Sequence, residues 1–205
     1  AGPSEVLTAT TTGTNITANY SNGVLTLSGS DTLTNYQTVL RSITYENTNE
    51  NPTTGDRTIN VLLSDGDTNN TVAVSTITVN AVNDAPVVDL NGAGADNTYA
   101  ASFTEGGSQV NITATTATVS DVDDTNIEAG TVTISNIAAG PSEVLTATTT
   151  GTNITASYSN GVLTLTGFDT IANYQTVLRS ITYENTNENP TTGDRTINVL
   201  LGDGD

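Results

Sequence analysis

A long internal repeat constrains this chain more than any other feature. Residues 1–67 recur as residues 139–205, an offset of 138, and six positions differ: Asn19/Ser157, Ser28/Thr166, Ser30/Phe168, Leu33/Ile171, Thr34/Ala172 and Ser64/Gly202. Stretches this alike must fold alike, so the 205 residues hold one and a half copies of a 138-residue unit. Copies kept this close point to a unit used many times in series. Residues 84–138 find no match before Ala1, and residues 68–83 find none after Asp205. The expected division is therefore the C-terminal part of one repeat over 1–83 and the next repeat, lacking its last strand, over 84–205.

Within the unit, apolar residues alternate with period two, in runs rich in Val, Ile, Thr and Tyr between clusters of Gly, Asn and Asp, which is the pattern of half-buried strands. Residues 15–29 set Asn22-Gly23 between two alternating runs, the mark of a hairpin closed by a type I′ turn, whose central residues both need positive φ. Asn160-Gly161 repeats it. Strands are expected near 98–104, 108–120, 130–137, 143–149, 153–158, 161–166, 179–184, 194–202 and the counterpart of 71–82. In that last segment Val72 and Val74 fall on the opposite parity from Ile77, Val79 and Ala81, which a bulge near Ser75 would reconcile. Asp31–Arg41 and Asp169–Arg179 carry the one helical pattern in each copy, expected to give at most one short helical segment of a turn or two, begun by an Asp or Thr cap. Eight or nine short strands per unit predict an all-β fold of tandem Greek-key β-sandwiches. Pro86, after Asn83-Asp84-Ala85, ends strand pairing and marks the boundary between units.

Charge narrows the function. Twenty-two acidic residues face four arginines and no lysine, a net charge of −18. Phosphate is repelled by such a surface, so nucleic acid and anionic membrane are not expected partners. There is no His and no Cys, which removes the commonest general base, the commonest nucleophilic thiol and the usual zinc ligands, so no enzyme is expected. No disulfide supports the fold, and a unit of this size can bury enough core without one. A composition of 43 Thr, much Asn and no Lys is that of a secreted surface protein. No apolar run is long enough to span a membrane, so no direct insertion is expected in this window.

Four segments resemble cadherin repeats. Val61–Pro86, VLLSDGDTNNTVAVSTITVNAVNDAP, is similar to the end of such a repeat, with its Asp-containing turn and its linker. Thr116–Asn126, TATVSDVDDTN, resembles the strand that ends in Asp-x-Asp; Phe103–Gly107, FTEGG, resembles the first-strand glutamate; Gly55–Thr58, GDRT, is similar to the Asp-Arg-Glu element. The segment NYQTVLRSITYEN followed by a DG turn is similar to the cadherin-like repeats of very large bacterial surface proteins. The resemblance implies a cadherin-like or Ig-like sandwich with Ca2+ at the junctions between repeats. It implies Asp56 from one unit, Asn83 and Asp84 from the linker, and Asp121, Asp123 and Asp203 from the next unit as ligands. Glu105, Asp65 and Asp194 would serve further junctions. Thr58, Ala81 and Ala85 stand where the family carries oxygen ligands, which leaves room for one or two ions.

Calcium takes six to eight oxygens from carboxylates and carbonyls, and crowded carboxylates are costly without a cation. The competing reading takes Asp65-Gly66-Asp67 as a plain turn and Asn83-Asp84 as a strand stop; for Asp67, Asp124 and Asp205 it is the favoured one, and Asp56-Arg57 can equally be a surface ion pair. The implied role is an extracellular adhesin or surface-fibre module, stiffened by calcium, whose partners are neighbouring repeats. Two alternatives stand beside it. Other copies of the chain can assemble by strand exchange, with residues 71–82 as the donor. A polysaccharide can bind on exposed rings, although there is no Trp and there are seven Tyr, of which Tyr36, Tyr45, Tyr174 and Tyr183 fit core positions.

Overall fold

The computed structural model describes residues 4–92 and 96–204, and the chain forms two compact units, Ala1–Val82 and Asn83–Asp205. Strands dominate both, with one short α-helix in each among the described residues. None of the described helices is long and apolar enough to cross a membrane.

The first unit contains β1 (Glu5–Thr8), β2 (Thr17–Ser21), β3 (Val24–Ser28), α1 (Leu33–Arg41), β4 (Thr44–Asn47), β5 (Gly55–Val61) and β6 (Ala73–Val79). Its strands pair antiparallel as β1 with β4, β2 with β3 and β5 with β6. Asn22 and Gly23 have φ of 50° and 82°, so the expected type I′ turn closes β2–β3. The expected bulge near Ser75 is absent. Register runs unbroken from Gly55 opposite Val79 to Val61 opposite Ala73. The parity conflict is resolved instead by leaving Val72 and Val74 in solvent while Val79 is buried.

The second unit contains β7 (Val87–Asp89), β8 (Val110–Asn111), β9 (Thr118–Ser120), β10 (Asn126–Ile134), a 3-10 turn over Gly140–Ser142, β11 (Glu143–Thr146), β12 (Thr155–Ser159), β13 (Val162–Thr170), α2 (Ile171–Arg179), β14 (Thr182–Asn185) and β15 (Ile197–Gly202). One sheet has the order β12-β13-β10-β15, a second the order β11-β14-β8, and β7 pairs with β9. Both larger sheets and α2 feed one hydrophobic core: Val132 and Leu165 from the first, Leu145 and Tyr183 from the second, and Tyr174, Val177 and Leu178 from the helix.

Three expectations need correction here. Residues 98–104 form no strand. The run 108–120 is not one strand but two, because Ala114 and Ala117 turn the backbone between them through bonds to Leu90 O and Ala114 O. The helices span nine residues, two and a half turns, longer than the expected turn or two. Thr170 Oγ1 caps α2 at Asn173 N, while the buried Asp169 carboxylate receives Asn153 N, Thr170 N and Asn173 Nδ2 at 2.7, 2.8 and 2.7 Å. A first turn held this firmly lets Tyr174, Val177 and Leu178 bury one helix face completely.

Candidate metal centre

Strand β9 ends at Ser120, and the chain must turn before β10 begins at Asn126. Asp121 makes that turn: its Oδ1 accepts the backbone N–H of Asp123 at 3.1 Å and of Asp124 at 3.0 Å, the Asx geometry short acidic side chains favour. Thr125 O then accepts Ile171 N at 3.0 Å, tying the loop to the start of α2. With Oδ1 committed to the turn, Oδ2 is buried and has no hydrogen-bond partner among the described residues. The side chains of Asp121, Asp123 and Asp124 are all half-buried and bring one carboxylate oxygen each to within 4.8 Å of one another.

Two further segments converge on this loop. Asp84 N donates to Asp123 Oδ2 at 3.1 Å, and Asn83 Nδ2 donates to Asp203 Oδ2 at 3.3 Å. The unit thus gathers five of the sequence-predicted residues, Asn83, Asp84, Asp121, Asp123 and Asp203, at the end where its chain begins. Asp124, which sequence reading assigned to a plain turn, joins the carboxylate group.

The electrostatics show the strain of this crowding. Burial acts to raise the Asp121 carboxyl, but the Asp124 and Asp123 amides outweigh it and hold the group below its ordinary value. Asp123 is pushed above its ordinary value, by burial first and then by the Asp121 carboxylate beside it. The donor set is all oxygen and anionic, which fits a hard cation such as calcium and offers nothing to a soft one.

The other predicted ligands lie elsewhere. Asp65, in the first unit, spends Oδ1 on the amides of Asp67 and Thr68 at 3.0 and 2.9 Å, which is the plain-turn arrangement. Asp56, also in the first unit, accepts Thr78 Oγ1 at 2.7 Å from the paired strand. It does not pair with its neighbour Arg57, whose Nε reaches Glu5 instead. Glu105 sits exposed in a turn closed by Gly107 N on Thr104 O, and Asp194 is exposed ahead of β15, its backbone carbonyl held by Asn136 Nδ2.

The sequence reading missed a buried ion pair. Glu143 is 0% exposed and its carboxylate takes the Arg195 Nε, the amides of Ala138 and Ala139 at 2.7 and 3.0 Å, and Tyr183 OH at 2.8 Å. The first unit repeats it with Glu5, Arg57 and Tyr45. The partners are 52 residues apart, and the one available signal was that a glutamate recurs at an inward strand position in both copies. Comparison of the chain with protein-family models, with curated proteins and with solved structures gives no significant match.

Proposed function

We propose that this chain is an extracellular repeat module of an adhesin or surface fibre, a cadherin-like Greek-key sandwich stiffened by calcium where one repeat hands over to the next. Its role is mechanical and not catalytic. The observation that carries the reading is the Asp121–Asp123–Asp124 group, with the buried Asp121 Oδ2 and with Asn83, Asp84 and Asp203 joined to the same end of the second unit. In this reading Asp121 and Asp123 provide the main charge, and Asp84 and Asp203 add oxygens. The cation supplies the positive charge that offsets carboxylate repulsion. The chain's own residues supply the hold: an ion that needs oxygens from residues 83–84 and from residues 121–124 limits how far the linker can swing from the loop.

The sandwich reading is supported by two sheets of non-consecutive strands that share one core. A polysaccharide reading is weakened by where the rings sit. Tyr174 and Tyr183 are buried, Tyr20, Tyr36, Tyr45 and Tyr158 are half-buried, and Tyr99 alone of the seven is exposed. Isothermal titration of the chain with calcium tests the proposal. Heat of binding that disappears in the Asp121→Asn, Asp123→Asn double variant supports it, whereas an unchanged isotherm in that variant moves the ion elsewhere.

A further inference from the structure

We propose that a shallow depression on the outer face of the second unit, between Phe168 and Glu128, binds a cationic side chain, an arginine or lysine presented by a protein partner. The argument does not depend on the ion. The depression forms where β13 and β10, the two central strands of the sheet β12-β13-β10-β15, fall out of register. Ile127 pairs with Asp169 and Ala129 with Thr166, so Gly167 and Phe168 stand together opposite Glu128. Such a bulge re-aims the side chains around it. Gly167 supplies the backbone for it, with φ of 128°, a conformation that residues with a side chain rarely adopt. The neighbouring Ile127, Leu165 and Asp169 stay buried, whereas Phe168 is turned outward and is 64% exposed.

Ring and carboxylate side by side select a particular chemistry. Phe168 and Glu128 line the depression together with Thr166, Ala129 and Gly202. An aromatic face attracts a cation, a carboxylate attracts it by charge and by hydrogen bonding, and the small Ala129 and Gly202 leave room for an apolar stem to lie flat. A charged head on an apolar stem is what arginine and lysine offer. Glu128 is exposed and makes no hydrogen bond or ion pair among the described residues. The chain has little to offer it: there is no lysine, and in the second unit Arg195 is held by Glu143 and Arg179 by Ala117 O at 2.8 Å. A second copy brings the same shortage and the same net charge of −18, so the occupant is a different and basic molecule.

The two copies of the repeat single out the same place. Of the six positions at which they differ, three line this depression: Thr166, Phe168 and Gly202 stand where the first copy has Ser28, Ser30 and Ser64. The exchanges add the ring and take a side chain off the floor. The first copy keeps the glycine that precedes the ring position, Gly29, with φ of 130°. The backbone conformation is thus common to both copies, while the ring that recognises the cation belongs to the second.

An NMR titration of the 205-residue chain with tetraarginine, in chelator so that no metal competes, tests the proposal. The expected result is a set of amide shifts centred on Glu128, Ala129, Gly167 and Phe168, with an affinity about threefold or more weaker in Phe168→Ser. That variant installs the first copy's own residue and leaves the net charge unchanged. Glu128→Gln should weaken binding as well, whereas Glu188→Gln, which removes one exposed charge from another loop, should not. Unchanged affinity in Phe168→Ser would reduce the effect to the general pull of an acidic chain and overturn the proposal. Tetraglutamine shifting the same amides equally, or no shifts there at about 10 mM tetraarginine, would overturn it too.

Discussion

At the scale of single residues the account rests on two kinds of carboxylate. Glu143 is fully buried and fully satisfied, and removing its arginine would leave a charge without compensation. Arg195→Met should therefore destabilise the second unit by about 3 kcal/mol or more in denaturant unfolding, and Arg57→Met, whose partner Glu5 is less enclosed, should cost the first unit less. Acid should act through the same group. Burial pushes the Glu143 carboxyl up, but the amides of Ala139 and Ala138, with Arg195 and Tyr183, outweigh it and hold the carboxyl below its ordinary 4.5. A group bound more tightly to its charged form in the folded state stabilises above its unfolded value, and that stability drains away as pH falls through the folded one. Thermal midpoints should stay level down to about pH 5 and drop below about 4.5, with a shallower drop in Glu143→Gln; an unaltered acid limb in that variant would remove Glu143 from the explanation. Asp121 and Asp123 are the contrasting kind, crowded by like charge.

Among the elements, the hairpins and the helices show where local signals suffice. Asn22-Gly23 and Asn160-Gly161 were legible because positive φ at two successive residues is a property of those residues themselves. The length of α2 was not, because its first turn is anchored by Asp169 to Asn153, sixteen residues away, and its third apolar position, Tyr174, donates its hydroxyl to Gly167 O at 2.8 Å. Gly167 has φ of 128°, and a Cβ there would stand 2.3 Å from Asn153 O. Gly167→Ala should therefore cost about 2 kcal/mol or more in equilibrium unfolding, and a loss under about 0.5 kcal/mol would contradict the contact described. Strands β7 and β9, three residues each, carry no periodicity to read and pair only because the fold brings them together. In the candidate site Asp121, Asp123, Asn83 and Asp84 were pointed to by the resemblance of the Asp-x-Asp strand end and of the linker to cadherin repeats. Asp124 was set aside because a third acid in a turn looks the same whether or not its neighbours converge on it. The Glu143–Arg195 pair needed the folded sheet to be seen at all.

For the whole molecule, the two copies show how far one sequence depends on its surroundings. Tyr183 is 7% exposed, whereas its counterpart Tyr45 is half-buried, because residues 84–138, which supply β7–β10 to the second unit, have no counterpart in residues 1–82. A repeat of this kind gains its stability from its own core, and the proposed calcium adds to it only where the linker meets the Asp121 loop. An ion bound by the folded state alone adds about 2.7 kcal/mol when present at a hundredfold excess over its dissociation constant, which for a unit of this size is about 10 °C in midpoint. The most direct test is the thermal midpoint of the second unit in chelator and in 10 mM calcium, a hundredfold excess for a site of about 10⁻⁴ M. The account predicts a rise of about 10 °C that vanishes in Asp121→Ala with Asp123→Ala, and a midpoint that does not move with calcium would contradict it.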